Sequence, residues 1–468
     1  MKTIAIKINS QFILKSLLII GILTSLFSCE DFLEADDPFG QIPYQEVYED
    51  EATATAALTT LYAKLRDEVL ITGGTSGLNV HMGLYADELD LYGSSWPTYN
   101  ELYQHQIIAS NHTVQTNWNS TYNLIFMANA VLEGLEGSSV LNEGIKNQLR
   151  GEALFIRALA HFYLANLHGD LPYIRTTDYR VNKDVSRLAL NLVYEQLLTD
   201  LNEAKSLLSA TYVTGERTRA NSFTASALLA RVYLYMGRWQ EAEAESSIVI
   251  NHSGLYSLEP LVENEFLINS SSAILQLKPK NEGSNSQEAS TFIFSSGPPP
   301  FVALSPELVD AFEENDLRKT HWVGEISDGS QSWYYPHKYK ENLNTGTSLE
   351  YSMVFRLAEQ YLIRAEARAN QNNTSGAQQD INILRQRAGL DNTVANTQNT
   401  LLEAILNERR FELFTEYGHR WFDIKRSNVA GQILSPLKPG WKPTNILWPI
   451  PEADILINPN LAPQNPGY

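Results

Sequence analysis

Three stretches of the chain place small residues at the intervals that closely packed, antiparallel helix pairs require. From Ser226 the sequence reads SALLARVYLYMGRWQEAEAESSIVI. There Ala230, Tyr233, Gly237, Trp239 and Ala242 fall where a helix-turn-helix repeat of roughly 34 residues puts small, aromatic, turn, aromatic and small side chains. From Tyr361, YLIRAEARANQNNTSGAQQDINILRQRAGL spaces Ala365 and Ala377 as Ala230 and Ala242 are spaced, with Ile381 and Leu384 following on the second helix. From Gly151, GEALFIRALAHFYLANLHGDLPY brings Ala153, Leu154, Ala158, His161, Phe162 and Ala165 to one helical face, which Gly169 and Pro172 terminate. A fourth pair is expected from Ala52–Leu65 with Tyr122–Leu135. Small residues let two backbones approach, and each pair buries its apolar edge only by stacking on the next. The fold class this predicts is mostly all-α, built of tetratricopeptide-like helix pairs.

The repeats are not contiguous. Residues 251–350 lose the helical period and are rich in Gly, Ser, Asn and Pro, including Gly297-Pro298-Pro299-Pro300. A second irregular stretch spans about 68–99. Without clear linkers, the expected organisation is one body: a part with helical repeats at 29–250, carrying the irregular loop near 68–99; a large irregular, loop-rich insert at 251–350; and a C-terminal helical repeat part with an extended tail at 351–468. Loops held on a rigid scaffold are where binding residues concentrate, and a long irregular connection is usually functional.

The first 28 residues read as a lipoprotein signal peptide. Lys2, Lys7 and Lys15 precede an apolar run, Leu17–Phe27, too short to span a bilayer comfortably. It ends Leu26-Phe27-Ser28-Cys29, a lipobox-like sequence in which Cys29, the only cysteine of the chain, is the expected lipidation site. No later stretch is apolar for about 18 residues, so the mature chain is expected to be anchored to a membrane without crossing it. The net charge is −19, and loss of a leader with three lysines and no acid makes it more negative still. That excludes nucleic acid as a partner, since its binding rests on clustered Lys and Arg.

No P-loop, dinucleotide fingerprint, G-x-S-x-G or HExxH is present. His105 and His112 lie seven apart and could share a face, but no third ligand is evident, and neither metal nor cofactor is expected. Glu408, Glu412 and Glu416 recur at helical spacing beside Arg409 and Arg420. A glycosidase needs two carboxylates flanking a bond, usually one with a raised pKa. Neighbouring arginines lower carboxylate pKa values, so the block reads as an ion-pair network, which Glu366 is expected to join, and no catalytic residue is assigned.

The aromatics are the strongest functional signal. An aromatic face covers the C–H surface of a sugar, while amide, carboxylate and guanidinium groups satisfy its hydroxyls. Trp118, Trp239 and Trp421 sit in helical patterns and are expected in the core. Trp96, between Gly93-Ser94-Ser95 and Pro97, is the leading ligand candidate, with Tyr92, Tyr99 and Asn100. Trp333, Tyr334, Tyr335 and Trp322, all in the insert, are the other candidates.

Six segments in order resemble the SusD/RagB family of outer-membrane lipoproteins. They are the start Cys29-Glu30-Asp31-Phe32-Leu33-Glu34; the helices GEALFIRALAHFYLANLHGDLPY and AEQYLIRAEARAN; the block Leu406–Leu413 with Gly418–Arg426; Pro449-Ile450-Pro451-Glu452; and Asn458-Pro459-Asn460-Leu461 running on to Gln464-Asn465-Pro466-Gly467-Tyr468. The resemblance implies a lipid-anchored, cell-surface protein of the outer membrane, beside a SusC-like TonB-dependent transporter. It would capture an oligosaccharide or polysaccharide, deliver it to that transporter and catalyse nothing. A RagB-like branch binds peptides, and that reading stays open, as do a generic helical-repeat interaction scaffold and a cryptic surface glycosidase. The ligand site varies across the family, so no sugar-binding residue carries over.

Overall fold

Helix-compatible periodicity translates into a stacked array that a long insertion interrupts. The computed structural model describes residues 46–468, so the leader and Cys29 lie outside the described residues. Residues 48–468 form one compact unit. The array consists of α1 (Glu51–Asp67), α4 (His112–Gly137), α5 (Glu143–His168), α6 (Leu190–Leu207), α7 (Ser222–Tyr235), α8 (Trp239–Ile250), α9 (Leu357–Asn370), α10 (Thr374–Arg387) and α11 (Gln398–Glu412). Each packs against its neighbour in that order, with α9 also on α11. The helices α2 (Leu78–Tyr85), α3 (Pro97–Tyr103) and α12 (His419–Arg426) lie beside the array.

Ala230, Ala242, Ala365 and Ala377 are all completely buried, at the helix contacts their spacing predicts. The turn between α7 and α8 needs a left-handed residue, which Gly237 supplies at φ 69°; Asn372 takes that role between α9 and α10 at φ 62°. A larger side chain at any of the four alanines would overpack the contact, at a cost of about 1–3 kcal/mol. The pair expected from 52–65 and 122–135 also forms, as α1 against α4.

Helix α5 departs from the amphipathic reading. From Gly151 to His168 every residue is buried, polar ones included. Its buried charges are partnered: Glu152 accepts from Arg219 at 2.7 Å and from the Tyr62 hydroxyl at 2.8 Å, and Arg157 binds Asp200 through two 2.7 Å hydrogen bonds. From Gly151 onward the helix runs inside the body, so this part has no solvent face.

The insert leaves after α8 and returns into α9 through an antiparallel ladder of β2 (Ala273–Leu277) with β6 (Ser352–Arg356). Within it the sequence loses helical period because the elements are short. β1 (Leu89–Leu91), from the first irregular stretch, pairs with β3 (Val302–Leu304), β3 with β5 (Ser332–Pro336), and β5 with β4 (Val323–Ser327), giving a sheet in the order β1-β3-β5-β4. Leu89 pairs with Leu304 and Leu91 with Val302. The two irregular stretches, some two hundred residues apart in sequence, therefore share one sheet.

Candidate ligand-binding site

The site is built where β1 ends. Beyond Leu91 the pairing runs one residue further, with the Tyr92 N–H donating to the Phe301 carbonyl at 2.7 Å. The chain then turns through Gly93 (φ 77°), Ser94 and Ser95, and Pro97 starts α3 directly after Trp96. Trp96 is held against Phe301, from the insert, with ring centroids 4.7 Å apart. Tyr99, one turn along α3, stands edge-on to Phe301 at 5.1 Å and to Trp96 at 6.0 Å. The Tyr99 hydroxyl donates to the Thr75 carbonyl at 3.3 Å, which ties α3 to the loop after α1.

Phe301 is buried, Trp96 and Tyr99 are half-buried, and Ser94, Ser95 and Asn100 are exposed. The Trp96 indole N–H and the Asn100 side-chain amide make no hydrogen bond among the described residues, so both are available to a ligand. Burial raises the phenol of Tyr99, and burial with Asp90 nearby raises that of Tyr92, so both remain neutral O–H groups around neutral pH. The result is an aromatic surface backed by a buried ring and edged by uncommitted hydroxyl and amide groups. That chemistry matches a sugar ring, with its C–H faces and its rim of hydroxyls.

The insert's own aromatics distribute differently from the sequence expectation. Trp322 has no exposed surface: its N–H donates to the Val262 carbonyl at 2.8 Å and its ring packs against Phe266, so it belongs to the core and is not presented to a ligand. Trp333 is 5% exposed, packed with Phe294 and Ala303 and closed over by the Gly297 backbone. Strand alternation explains the split along β5. Trp333 and Tyr335 face one side of the sheet, where Tyr92 joins them, while half-buried Tyr334 faces the other, packing against the core to which Trp96 and Tyr99 also attach. Sequence reasoning missed Phe301, whose role rests on the pairing of β1 with β3 and leaves no local signal. Trp118 and Trp421 are in the core as expected, whereas Trp239 is half-buried.

The charged block forms an enclosed ion-pair lattice. Glu412 accepts from Arg356 at 2.5 Å, from Arg318 at 3.1 Å and from Arg387; Glu408 accepts from Arg318 at 2.5 Å; Glu416 accepts from Arg356 at 2.8 Å and from Lys338 at 2.5 Å. Arg409 binds Asp423 at 2.7 Å, Arg420 binds Asp87 at 2.7 Å, and Arg426 binds Glu366 at 2.7 Å. The helical spacing of the three glutamates holds only in part, because α11 ends at Glu412. The turn that follows, with Thr415 and Tyr417 left-handed, returns Glu416 to Arg356. Burial alone would raise Glu412, yet Arg387, Arg356 and Arg318 hold it well below the usual carboxylate range. Glu408 goes the other way: burial outweighs Arg318 and raises it. All three carboxylates are buried, so none can flank a glycosidic bond.

His105 and His112 do not share a helical face. His105 precedes α4 with φ 54° and is buried against the Tyr85 carbonyl at 2.7 Å, whereas His112 opens α4 and is exposed. No group of three His, Cys, Asp or Glu residues that could hold a metal ion occurs among the described residues. No helix among them is long and apolar enough to cross a membrane.

Comparison with known proteins places this geometry in context. Residues 77–234 match a SusD-like family described as starch-binding and associating with the outer membrane, and residues 318–468 match the SusD family. SusD-like protein P2 of Formosa agariphila is 26% identical, over 96% of this chain and 98% of its own. A SusD superfamily protein from Bacteroides vulgatus superposes with a TM-score of 0.79 at 22% identity, over 90% of this chain and 100% of its own. A laminarin-binding SusD-like protein superposes with a TM-score of 0.77 at 25% identity, again over 90% and 100%.

Proposed function

The chain belongs to the SusD/RagB family, and from that premise we propose that it is a surface glycan-binding lipoprotein. In this reading it captures an oligosaccharide or polysaccharide and passes it, unhydrolysed, to a SusC-like TonB-dependent transporter in the outer membrane, to which acylated Cys29 tethers it. The observation that carries the reading is the Trp96 surface. Phe301 backs the indole at 4.7 Å, its N–H is uncommitted, and the hydroxyls of Ser94 and Ser95 and the amide of Asn100 surround it in solvent. Stacking holds the sugar face, hydrogen bonds fix its orientation, and the absence of covalent steps leaves the glycan free to be handed on. The laminarin-binding relative supports a saccharide ligand. The enclosure of Glu408, Glu412 and Glu416 supports the non-catalytic half of the proposal.

Native electrophoresis tests it. The mature chain should be retarded in gels cast with laminarin or soluble starch, and not by an equal mass of casein peptides in the same gel. No reducing ends should appear on prolonged incubation. Retardation by peptide alone would favour the RagB-like alternative, and release of reducing ends would establish hydrolysis.

A further inference from the structure

The geometry points to a second saccharide-binding surface, on the outer side of α4, distinct from the Trp96 site. It rests on the reading of this chain as a glycan binder. Trp118, Tyr122 and Phe126 follow one another at four-residue intervals, so they form one stripe along α4. The stripe floors a groove of about 480 Å³, whose other walls are the segment after α5 and the C-terminal tail. That volume falls in the range of sites for small ligands.

The chemistry of the groove repeats that of the Trp96 surface. Trp118 and Tyr122 pack with centroids 4.7 Å apart, and Phe126 is 47% exposed, a large share for an aromatic ring. Asn119 and Asn123 flank the stripe in solvent, and neither side chain makes a hydrogen bond among the described residues. Asp454, whose carboxyl burial raises, supplies an acid on the opposite wall. Aromatic floor, two free amides and an acid are the set that a neutral sugar engages. A purely apolar partner would leave the amides unsatisfied on docking, which disfavours a protein helix as occupant.

The groove and the Trp96 site are rigidly connected. From Tyr99 a buried column of rings runs through His81, Trp448 and His168 to Trp118, with successive centroids 5.6, 6.4, 6.2 and 5.0 Å apart. Two sites at fixed separation favour a long glycan over a short one, because binding at one raises the effective concentration at the other.

The test uses the full mature chain, the double variant Phe126→Ala/Asn123→Ala and the single variant Trp96→Ala. Each is run in laminarin and soluble-starch gels and titrated calorimetrically with a short oligosaccharide of whichever polysaccharide retards the chain. Phe126 and Asn123 reach solvent, so the double variant should keep the thermal midpoint of the unaltered chain. Two equivalents are expected for the unaltered chain and one for each variant, with polysaccharide affinity falling at least about tenfold in the double variant. A single equivalent that Trp96→Ala removes overturns the second surface and leaves the first standing. A single equivalent that only the double variant removes keeps the groove and refutes the Trp96 site. Two equivalents untouched by the double variant, or no retardation by either polysaccharide, overturns the inference.

Discussion

Replacing Glu412 by glutamine isolates the structural role of the charged block. The carboxylate is completely buried and serves three guanidiniums: Arg356 at 2.5 Å, Arg318 at 3.1 Å and Arg387. Removing one partner of a buried ion pair costs about 3–5 kcal/mol. Each arginine keeps another partner here, since Arg356 retains Glu416 and Glu265, Arg318 retains Asp316 and Glu408, and Arg387 retains Glu265. The loss should therefore sit near the lower bound, about 3 kcal/mol. With an unfolding entropy of roughly 2.1 cal/mol/K per residue over about 420 residues, that lowers the thermal midpoint by about 3 °C. The pH dependence has a definite sign. Arg387, Arg356 and Arg318 outweigh burial and hold Glu412 below its ordinary value of 4.5, so its contribution is complete above 4.5 and is lost as pH falls through the depressed value. Circular dichroism melts of both proteins between pH 3 and 8 should show the full gap at neutrality and a narrowing gap in acid. Equal midpoints at pH 7, or a gap that widens in acid, would refute the ion-pair account.

Glu88 should behave oppositely. Burial, reinforced by Asp87, pushes its carboxyl up to about 8, and one of its oxygens has no hydrogen-bond partner among the described residues. The penalty is absent below 4.5, grows as the unfolded chain ionises and is complete above 8. Glu88→Gln should therefore raise the midpoint more at pH 8 than at pH 5, and a pH-independent effect would contradict this. Gly297→Ala would place a methyl group 1.9 Å from the Trp333 ring, so it should destabilise by about 1–3 kcal/mol and shift near-UV circular dichroism; an unchanged spectrum and midpoint would count against that packing. Cys29→Ala should release the protein from the membrane fraction with its thermal midpoint intact, and a variant that still sediments with outer membranes would argue against acyl anchoring.

What was legible in the sequence followed from local periodicity. Ala230, Ala242, Ala365 and Ala377 reported helix contacts because the spacing of small residues is itself the packing requirement. The charged block was readable as ion pairs because arginine and glutamate interleave within one short segment, although the turn after Glu412 was not. The burial of α5 on every side from Gly151 onward was not readable either, since that depends on what surrounds a helix. The turn residues around Trp96 and Tyr99 mark a loop setting, and the structure brings both rings onto Phe301. Phe301 was invisible because its contact spans some two hundred residues and arises from strand pairing. Trp322 and Trp333 were misjudged for the same reason: an aromatic in a polar, irregular stretch looks exposed until the short strands around it are assembled.

The central claim is that the Trp96 surface holds a glycan. Calorimetric titration of the mature chain and of Trp96→Ala with oligosaccharides of the retarding polysaccharide tests it most directly. At roughly 25 cal/mol per Å² of apolar contact, a lost stacking face removes at most a few kcal/mol, enough to erase binding at a shallow site with few other contacts. The Trp96→Ala heat of binding at this site should disappear while the chain stays folded, with a midpoint only a few °C lower, because Trp96 lies outside the helix contacts. Unchanged affinity and stoichiometry in Trp96→Ala would contradict it.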